Sequence, residues 1–170
     1  MRLRFRESEI RRHAANYAFP RDEKDLLALG ETVTRAGYLT KDQLRLIAKW
    51  KSPRSAPHVE KNSESFVREI TGFALNCNDE RARIESLTVL DGVRWPTASV
   101  VLHLFHKDPY PIVDFRSLWS IRTRVPVPYS FEFWTAYVRF CRTIAKSNRL
   151  TMRTLDQALW QFSKENQRAR

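Results

Sequence analysis

An all-α fold is what this sequence predicts, and three observations carry the prediction. Glycine is scarce, with four residues in 170. Apolar residues recur at helical spacing over long stretches, and prolines and capping residues stand at the ends of those stretches. No convincing strand pair interrupts them. The expected arrangement is one compact helical domain over residues 1–170, or two apposed helical lobes within it.

A first helix is expected over about Glu7 to Tyr17, stopping near Pro20, and a second over about Arg21 to Ala36, ended by Gly37. Thr40 suits the N-cap of a third, with Leu44, Ile47 and Ala48 on an apolar face and Lys41, Arg45 and Lys49 on another. The prolines of Ser52 to His58 mark a loop. Ser63 to Leu75 is again helical, with Phe66, Ile70, Phe73 and Ala74 at near-helical spacing, and Asn78 or Asp79 caps a helix reaching Leu90. Gly92 breaks that run and Pro96 fits the first turn of the next helix, so Ile84 to His106 reads as helix, tight turn, helix. The breaker Asp108-Pro109-Tyr110-Pro111 follows, then a helix over Val113 to Ile121. Beyond Pro126 and Pro128, helices are expected over about Phe131 to Ser147 and Thr151 to Glu165. Tyr129, Phe131, Phe133, Trp134, Tyr137 and Phe140 recur at helical spacing and read as core.

Thirty Lys and Arg against nineteen Asp and Glu give a formal charge of +11. Such an excess draws the chain toward a polyanion, with nucleic acid the leading partner. Cys77 and Cys141 stand apart, so neither a disulfide framework nor a thiolate metal site is readable. His103 and His106 share a helix without a third ligand in sight and read as structural. The N-terminal MRLRFRESEIRR has no apolar core of a signal peptide. The longest apolar run, Ala98 to Phe105, contains Ser99 and His103, so no membrane span is expected. A reduced, cytoplasmic setting fits, associated with the nucleoid if DNA is the partner.

The segment Leu90 to Ala98, LDGVRWPTA, and the later PIVDFR run form a pair. Together they resemble the two halves of the active-site signature of helix-hairpin-helix DNA glycosylases. In that family a leucine leads a turn of the form Gly-hydrophobic-Gly, a Thr-Ala pair opens the next helix, and an aspartate follows at a fixed distance. Leu90, Gly92, Val93, Thr97, Ala98 and Asp114 hold those places here. The resemblance implies a compact helical glycosylase-like fold and duplex DNA, damaged or not, as partner. It also implies a phosphate gripped by the hairpin amides around Gly92, Val93, Arg94 and Thr97, with Asp114 as catalytic carboxylate. Glycosylases pass through an electron-poor sugar cation, which a carboxylate stabilises while directing water. The plain alternative for Asp114 is an N-cap on the helix that follows, and the two roles are compatible.

The sequence departs from the family pattern in two places. Arg94 stands where the second glycine belongs, and Pro96 stands where endonuclease III-like members carry the Schiff-base lysine. Proline has no nucleophilic amine, which excludes imine chemistry at that position. A monofunctional glycosylase, hydrolysing the N-glycosidic bond with water, and a family relative that binds DNA without cutting both remain open. A basic helical domain for RNA or protein is the third reading. The cysteine-rich cluster loop of endonuclease III is missing, and no iron–sulfur group or other cofactor is implied. The resemblance is good from about Ile84 to Ile121 and weaker over Ser63 to Leu90 and Thr151 to Glu165. It does not extend to the first sixty residues.

Further candidates follow from charge and aromaticity. Trp50, Lys51 and Arg54 in WKSPR place an aromatic and two cations at a helix-to-loop junction, where a side chain can wedge into the gap left by a flipped base. An ordinary basic helix end is the alternative. Trp95 is a candidate for contact with the base or for packing across the hairpin. Arg116 is expected to pair with Asp114 or to contact phosphate. The cations Arg139, Arg142, Lys146, Arg149 and Arg153 gather near the junction of the last two helices and either track a DNA strand or form a solvated face.

Overall fold

The computed structural model describes residues 1–19 and 23–167, and among these it is all-helical, without a strand. The α-helices are α1 (Ile10–Ala15), α2 (Lys24–Ala28), α3 (Gly30–Ala36), α4 (Lys41–Lys51), α5 (Glu64–Asn76), α6 (Glu80–Leu87), α7 (Trp95–Phe105), α8 (Phe115–Ser120), α9 (Phe131–Ser147) and α10 (Met152–Asn166). Short 3-10 turns cover Glu7–Glu9 and Ala56–Lys61. The chain divides into two units, one holding the described residues of 1–20 and 109–170 and the other those of 21–108.

In the 21–108 unit the local chemistry sets each boundary. Thr40 and Gln43 form a capping box at α4, with the Gln43 amide donating to Thr40 Oγ1 at 3.3 Å and the Thr40 amide to Gln43 Oε1 at 2.8 Å. Ser63 caps α5 and Asp79 caps α6. Gly37 ends α3 at φ 74°, a left-handed stop that glycine adopts without a Cβ clash. The central element is α7, whose residues 97–102 are all buried. A helix apolar nearly all round needs neighbours on every side, and α3, α4 and α6 supply them.

Three expectations change here. The second helix is interrupted at Leu29, giving α2 and α3, and its expected start at Arg21, like the Pro20 stop, lies outside the described residues. The loop expected over Ser52 to His58 holds for residues 52–55, and from Ala56 the chain enters the 3-10 turn, which packs on α4. On α5 the buried face is Val67, Thr71 and Ala74, whereas Phe66 and Phe73 are 42% and 50% exposed. Thr71 explains the choice: its Oγ1 accepts the buried amide of Leu39 at 2.9 Å and donates to the Val67 carbonyl at 2.7 Å. That pairing holds the small-residue face against residues 38–40, because leaving the buried Leu39 amide unpaired would cost about 1–3 kcal/mol.

His106 closes α7 with its side chain 1% exposed, Nδ1 accepting the Asp108 amide at 2.9 Å. Burial holds its pKa below the ordinary value, and repulsion from Arg83 and, less, Lys107 adds to this against the opposing pull of Asp108. Protonation is therefore harder in the folded chain than in the unfolded one. Stability is full above the ordinary histidine range, and it falls as pH drops through that range toward the lower folded value. We expect the melting temperature to decline between pH 7.5 and 5.5, and His106→Asn, which keeps an acceptor near the Nδ1 position, to flatten that part of the profile. An unchanged slope in the variant would assign the decline to another group.

In the other unit α10 is the centre, packed by α1, α8 and α9. Trp134, Tyr137, Val138 and Cys141 of α9 and Leu155, Ala158 and Leu159 of α10 form its core. Tyr110 stacks on Trp134 with centroids 5.4 Å apart and planes at 17°. Of the aromatic run read as core, Trp134 and Tyr137 are fully buried, and Tyr129, Phe131, Phe133 and Phe140 lie half-buried around them.

Candidate nucleic-acid and catalytic site

The site anticipated in the sequence has two parts, the turn between α6 and α7 in one unit and Asp114 in the other. The turn is longer than expected, because α6 stops at Leu87 and residues 88–94 connect it to α7. Gly92 has φ 82°, so a left-handed residue is required. A Cβ at Gly92 would stand 2.8 Å from the Ser55 carbonyl oxygen and 2.9 Å from the Val59 amide nitrogen. The side of Gly92 that a Cβ would occupy is thus closed by the 3-10 turn. The glycine lets two pieces of backbone approach each other within the protein.

Around it, Val93 is fully buried and its amide donates to the Leu90 carbonyl at 3.1 Å. Thr97 is 1% exposed. Arg94 is exposed and forms the N-cap position of α7, Trp95 is half-buried at the first helical position, and Pro96 follows as the sequence anticipates. The exposed Arg94 side chain stands at the start of α7, with the Val93 and Thr97 side chains shaping the turn from within. Asn62 braces the turn: its side chain accepts the Asp91 amide at 2.9 Å and donates to the Asp91 carbonyl at 3.0 Å. Nothing in the sequence spacing singles out Asn62.

The structure places Trp50 in the core at 6% exposure, so its ring is not presented to a duplex. Lys51 is half-buried and Arg54 exposed at the end of the same segment, which leaves the cations rather than the ring at the surface.

Asp114 caps α8, Oδ1 accepting the Ser117 amide at 2.8 Å, with the residue 9% exposed. Two buried side chains set the run leading to it. Tyr137 Oη donates to the Ile112 carbonyl at 3.0 Å, and Asp156 Oδ1 accepts the Ile112 amide at 3.0 Å. Both hydrogen-bonding groups of one peptide residue are thus held from α9 and α10, which fixes the path of the backbone two residues before the carboxylate. Arg153 Nη1 stands 3.6 Å from Asp156 Oδ2. Burial, with the negative charge of Asp114 adding, pushes the Tyr129 hydroxyl up to about 12. Burial likewise holds the Tyr137 hydroxyl protonated, as a donor to Ile112 must be.

The pairing expected between Arg116 and Asp114 is not formed among the described residues. The Arg116 guanidinium instead lies 5.0 Å from the Phe115 centroid and 5.3 Å from that of Trp160. Tyr17 and Phe19 also meet Trp160, at 5.5 and 5.0 Å, and Lys164 Nζ lies 5.4 Å from its centroid. Phe115, immediately after the carboxylate, is 55% exposed. Of the cations near the last two helices, Arg142 donates to the Pro109 carbonyl and covers Tyr110, and Arg153 faces Asp156 and Tyr17; Arg139, Lys146 and Arg149 are exposed. Cavities of about 600, 520 and 470 Å³ are among those that open in the described residues. No group of metal-ligating side chains is assembled among the described residues, and no helix there is long and apolar enough to cross a membrane.

Comparison with known proteins returns no matching family, no matching curated protein and no matching solved structure.

Proposed function

We propose that this chain is a DNA-binding protein of the helix-hairpin-helix glycosylase type, acting as a monofunctional glycosylase that hydrolyses an N-glycosidic bond in duplex DNA. The observation that carries the reading is Asp114. It is a carboxylate set at the start of α8, on a backbone held at Ile112 from two other helices, beside an exposed phenyl ring and an arginine–tryptophan cluster. In this reading Asp114 stabilises the sugar cation and directs water. Arg94 and the start of α7 meet the backbone of the DNA, and Arg116, Lys51 and Arg54 add cationic contacts. Phe115, next to Asp114, is an exposed ring available to an extruded base, and Trp95, half-buried next to Arg94, is available to the DNA that Arg94 meets. Pro96 leaves water as the nucleophile.

A specific observation favours a second reading, DNA binding without turnover. The Asp114 carboxylate already serves as a helix cap, accepting the Ser117 amide at 2.8 Å. Excision assays over a panel of lesion-bearing duplexes, with alkali to reveal abasic sites, separate the two. Base release on any lesion supports the glycosylase, and none on all of them leaves the binder.

Both readings require a steep salt dependence. Lys and Arg contacts release condensed counterions, so log K falls with log salt by about 0.9 per phosphate contacted. Fluorescence anisotropy with a labelled duplex at several salt concentrations measures this. Undetectable binding at low salt would remove DNA as the partner.

A further inference from the structure

The N-terminal segment, outside the reach of the hairpin resemblance, carries a second cluster of cations. Residues 1–6 alternate, with Leu3 buried and Phe5 packed on His13 and Phe162, at centroid distances of 5.0 and 4.5 Å, while Arg2, Arg4 and Arg6 are exposed. The segment is fastened along the end of α8: the Arg2 amide donates to the Ile121 carbonyl at 3.1 Å and the Arg4 amide to the Ser120 carbonyl at 2.9 Å. Arg4 is used in this fastening, its Nε donating to the Trp119 carbonyl and its guanidinium 4.4 Å from the Trp119 ring centroid. The cavity of about 600 Å³ opens here, lined by Arg2, Arg4, Arg6 and Arg122 over an apolar floor that includes Phe140 and Ile144.

Two carboxylates also line it, and both are engaged. Glu9 accepts the Arg6 amide at 3.0 Å and pairs with Arg12 at 2.7 Å, and Glu7 accepts the Asn148 side-chain amide at 2.7 Å. Among the described residues no salt bridge joins the guanidinium group of Arg2, Arg6 or Arg122 to a carboxylate, though the Arg6 charge acts on Glu9 and, after the Arg6 amide and Arg12, helps to lower its pKa.

The backbone supplies a separate observation. Two non-glycine residues have positive φ among those described, Arg122 at 57° and Arg149 at 50°. Each follows a helix end that is closed by a reverse hydrogen bond, from the Thr123 amide to the Leu118 carbonyl and from the Leu150 amide to the Ala145 carbonyl, both 2.9 Å. That closure ordinarily takes glycine, because a left-handed residue with a Cβ is strained. This chain puts arginine in both places. Arg122 lines the groove, and Arg149 follows Asn148, the residue that holds Glu7 at the groove's edge. A strained position that carries a cation at a cationic groove is better explained by use of the charge than by the fold.

We propose that this groove binds backbone phosphates of duplex DNA through Arg2, Arg6 and Arg122, as a contact separate from the hairpin. Guanidinium forks match phosphate oxygens in pairs. Three of them outside any salt bridge on one groove exceed what a lone phosphate needs, and the net charge of +11 points to a polymer. The inference rests on the DNA reading above and goes beyond it in naming the surface.

The test is duplex binding by fluorescence anisotropy over a range of salt concentrations. The proteins compared are the parent, Arg122→Gly, the double variant Arg2→Gln with Arg6→Gln, and the control Arg45→Gln, whose arginine pairs with Asp42 and Glu60 at 3.0 and 3.3 Å. Because glycine relieves the left-handed backbone, Arg122→Gly is expected to melt at or above the parent's temperature while binding several-fold more weakly. Its salt slope should be smaller by about 0.9, and that of the double variant by about twice as much. The control should match the parent. Parent-like affinity and slope in both groove variants overturns the groove while leaving the DNA reading intact. A parent that fails to bind duplex at low salt overturns the DNA reading, and the groove with it.

Discussion

Gly92→Ala is expected to be the most damaging single-methyl change in the molecule. The added Cβ would meet the Ser55 carbonyl oxygen and Val59 Cγ2 at 2.8 Å and the Val59 amide nitrogen at 2.9 Å, and two of these three atoms belong to backbone that cannot rotate away. The residue also sits at φ 82°, where an L side chain is strained by about 1–2 kcal/mol. Overpacking typically adds about 1–3 kcal/mol. Together these approach a sizeable part of a domain's usual stability of about 5–15 kcal/mol, and a fall in melting temperature on the order of 10 °C follows for a chain of this size. Thermal denaturation of Gly92→Ala beside Arg94→Gly checks it. Position 94 has φ −121° and an exposed side chain, so glycine there costs about 1 kcal/mol or less. Equal melting temperatures for the two variants would mean that the 3-10 turn moves aside and that Gly92 is not structurally required.

That contrast also shows what the sequence could and could not convey. The need for glycine at position 92 is legible from its place between two helical patterns, and the family resemblance supplies a reason in the approach of a phosphate. The structure supplies another, the approach of Ser55 and Val59, which no local pattern encodes because these residues come from a segment whose prolines read as loop. Helix starts carried clear signals: Thr40, Asp79 and Asp114 each cap the helix expected of them through a side-chain oxygen three residues before the amide it accepts. Faces were harder. Phe66 and Phe73 fit a helical stripe as well as Val67, Thr71 and Ala74 do, and a hydrogen bond between Thr71 and Leu39, far apart in sequence, decides which stripe is buried. The supports of the candidate site are hidden for the same reason. Tyr137 and Asp156 look like an aromatic and a charged residue in two amphipathic helices. Only packing brings both onto Ile112, just before the carboxylate that the sequence did single out.

Asp114→Asn is expected to leave the protein folded and nearly abolish base release, if the chain is the glycosylase proposed. The cap is the reason the variant is informative. Asparagine caps a helix about as well as aspartate, its side-chain oxygen accepting the Ser117 amide in place of Oδ1, so the melting temperature should hardly move. Asp114→Ala, by contrast, removes the cap and should cost about 1 kcal/mol. What the amide cannot supply is the negative charge beside the sugar cation, and loss of such a contributor lowers the single-turnover rate on the order of a hundredfold or more. DNA affinity should stay level or rise, since a repulsion against phosphate is removed along with the charge. With Pro96 in place of a lysine, the parent should yield abasic sites without an adduct trapped by borohydride. Base release, trapping, affinity and melting temperature measured side by side separate the roles of this residue. Equal release by Asp114→Asn and parent would leave Asp114 a cap and nothing more, and a trapped adduct would require an amine elsewhere in the chain. Release lost in Asp114→Asn at an unchanged melting temperature is the result that a structural role alone does not produce.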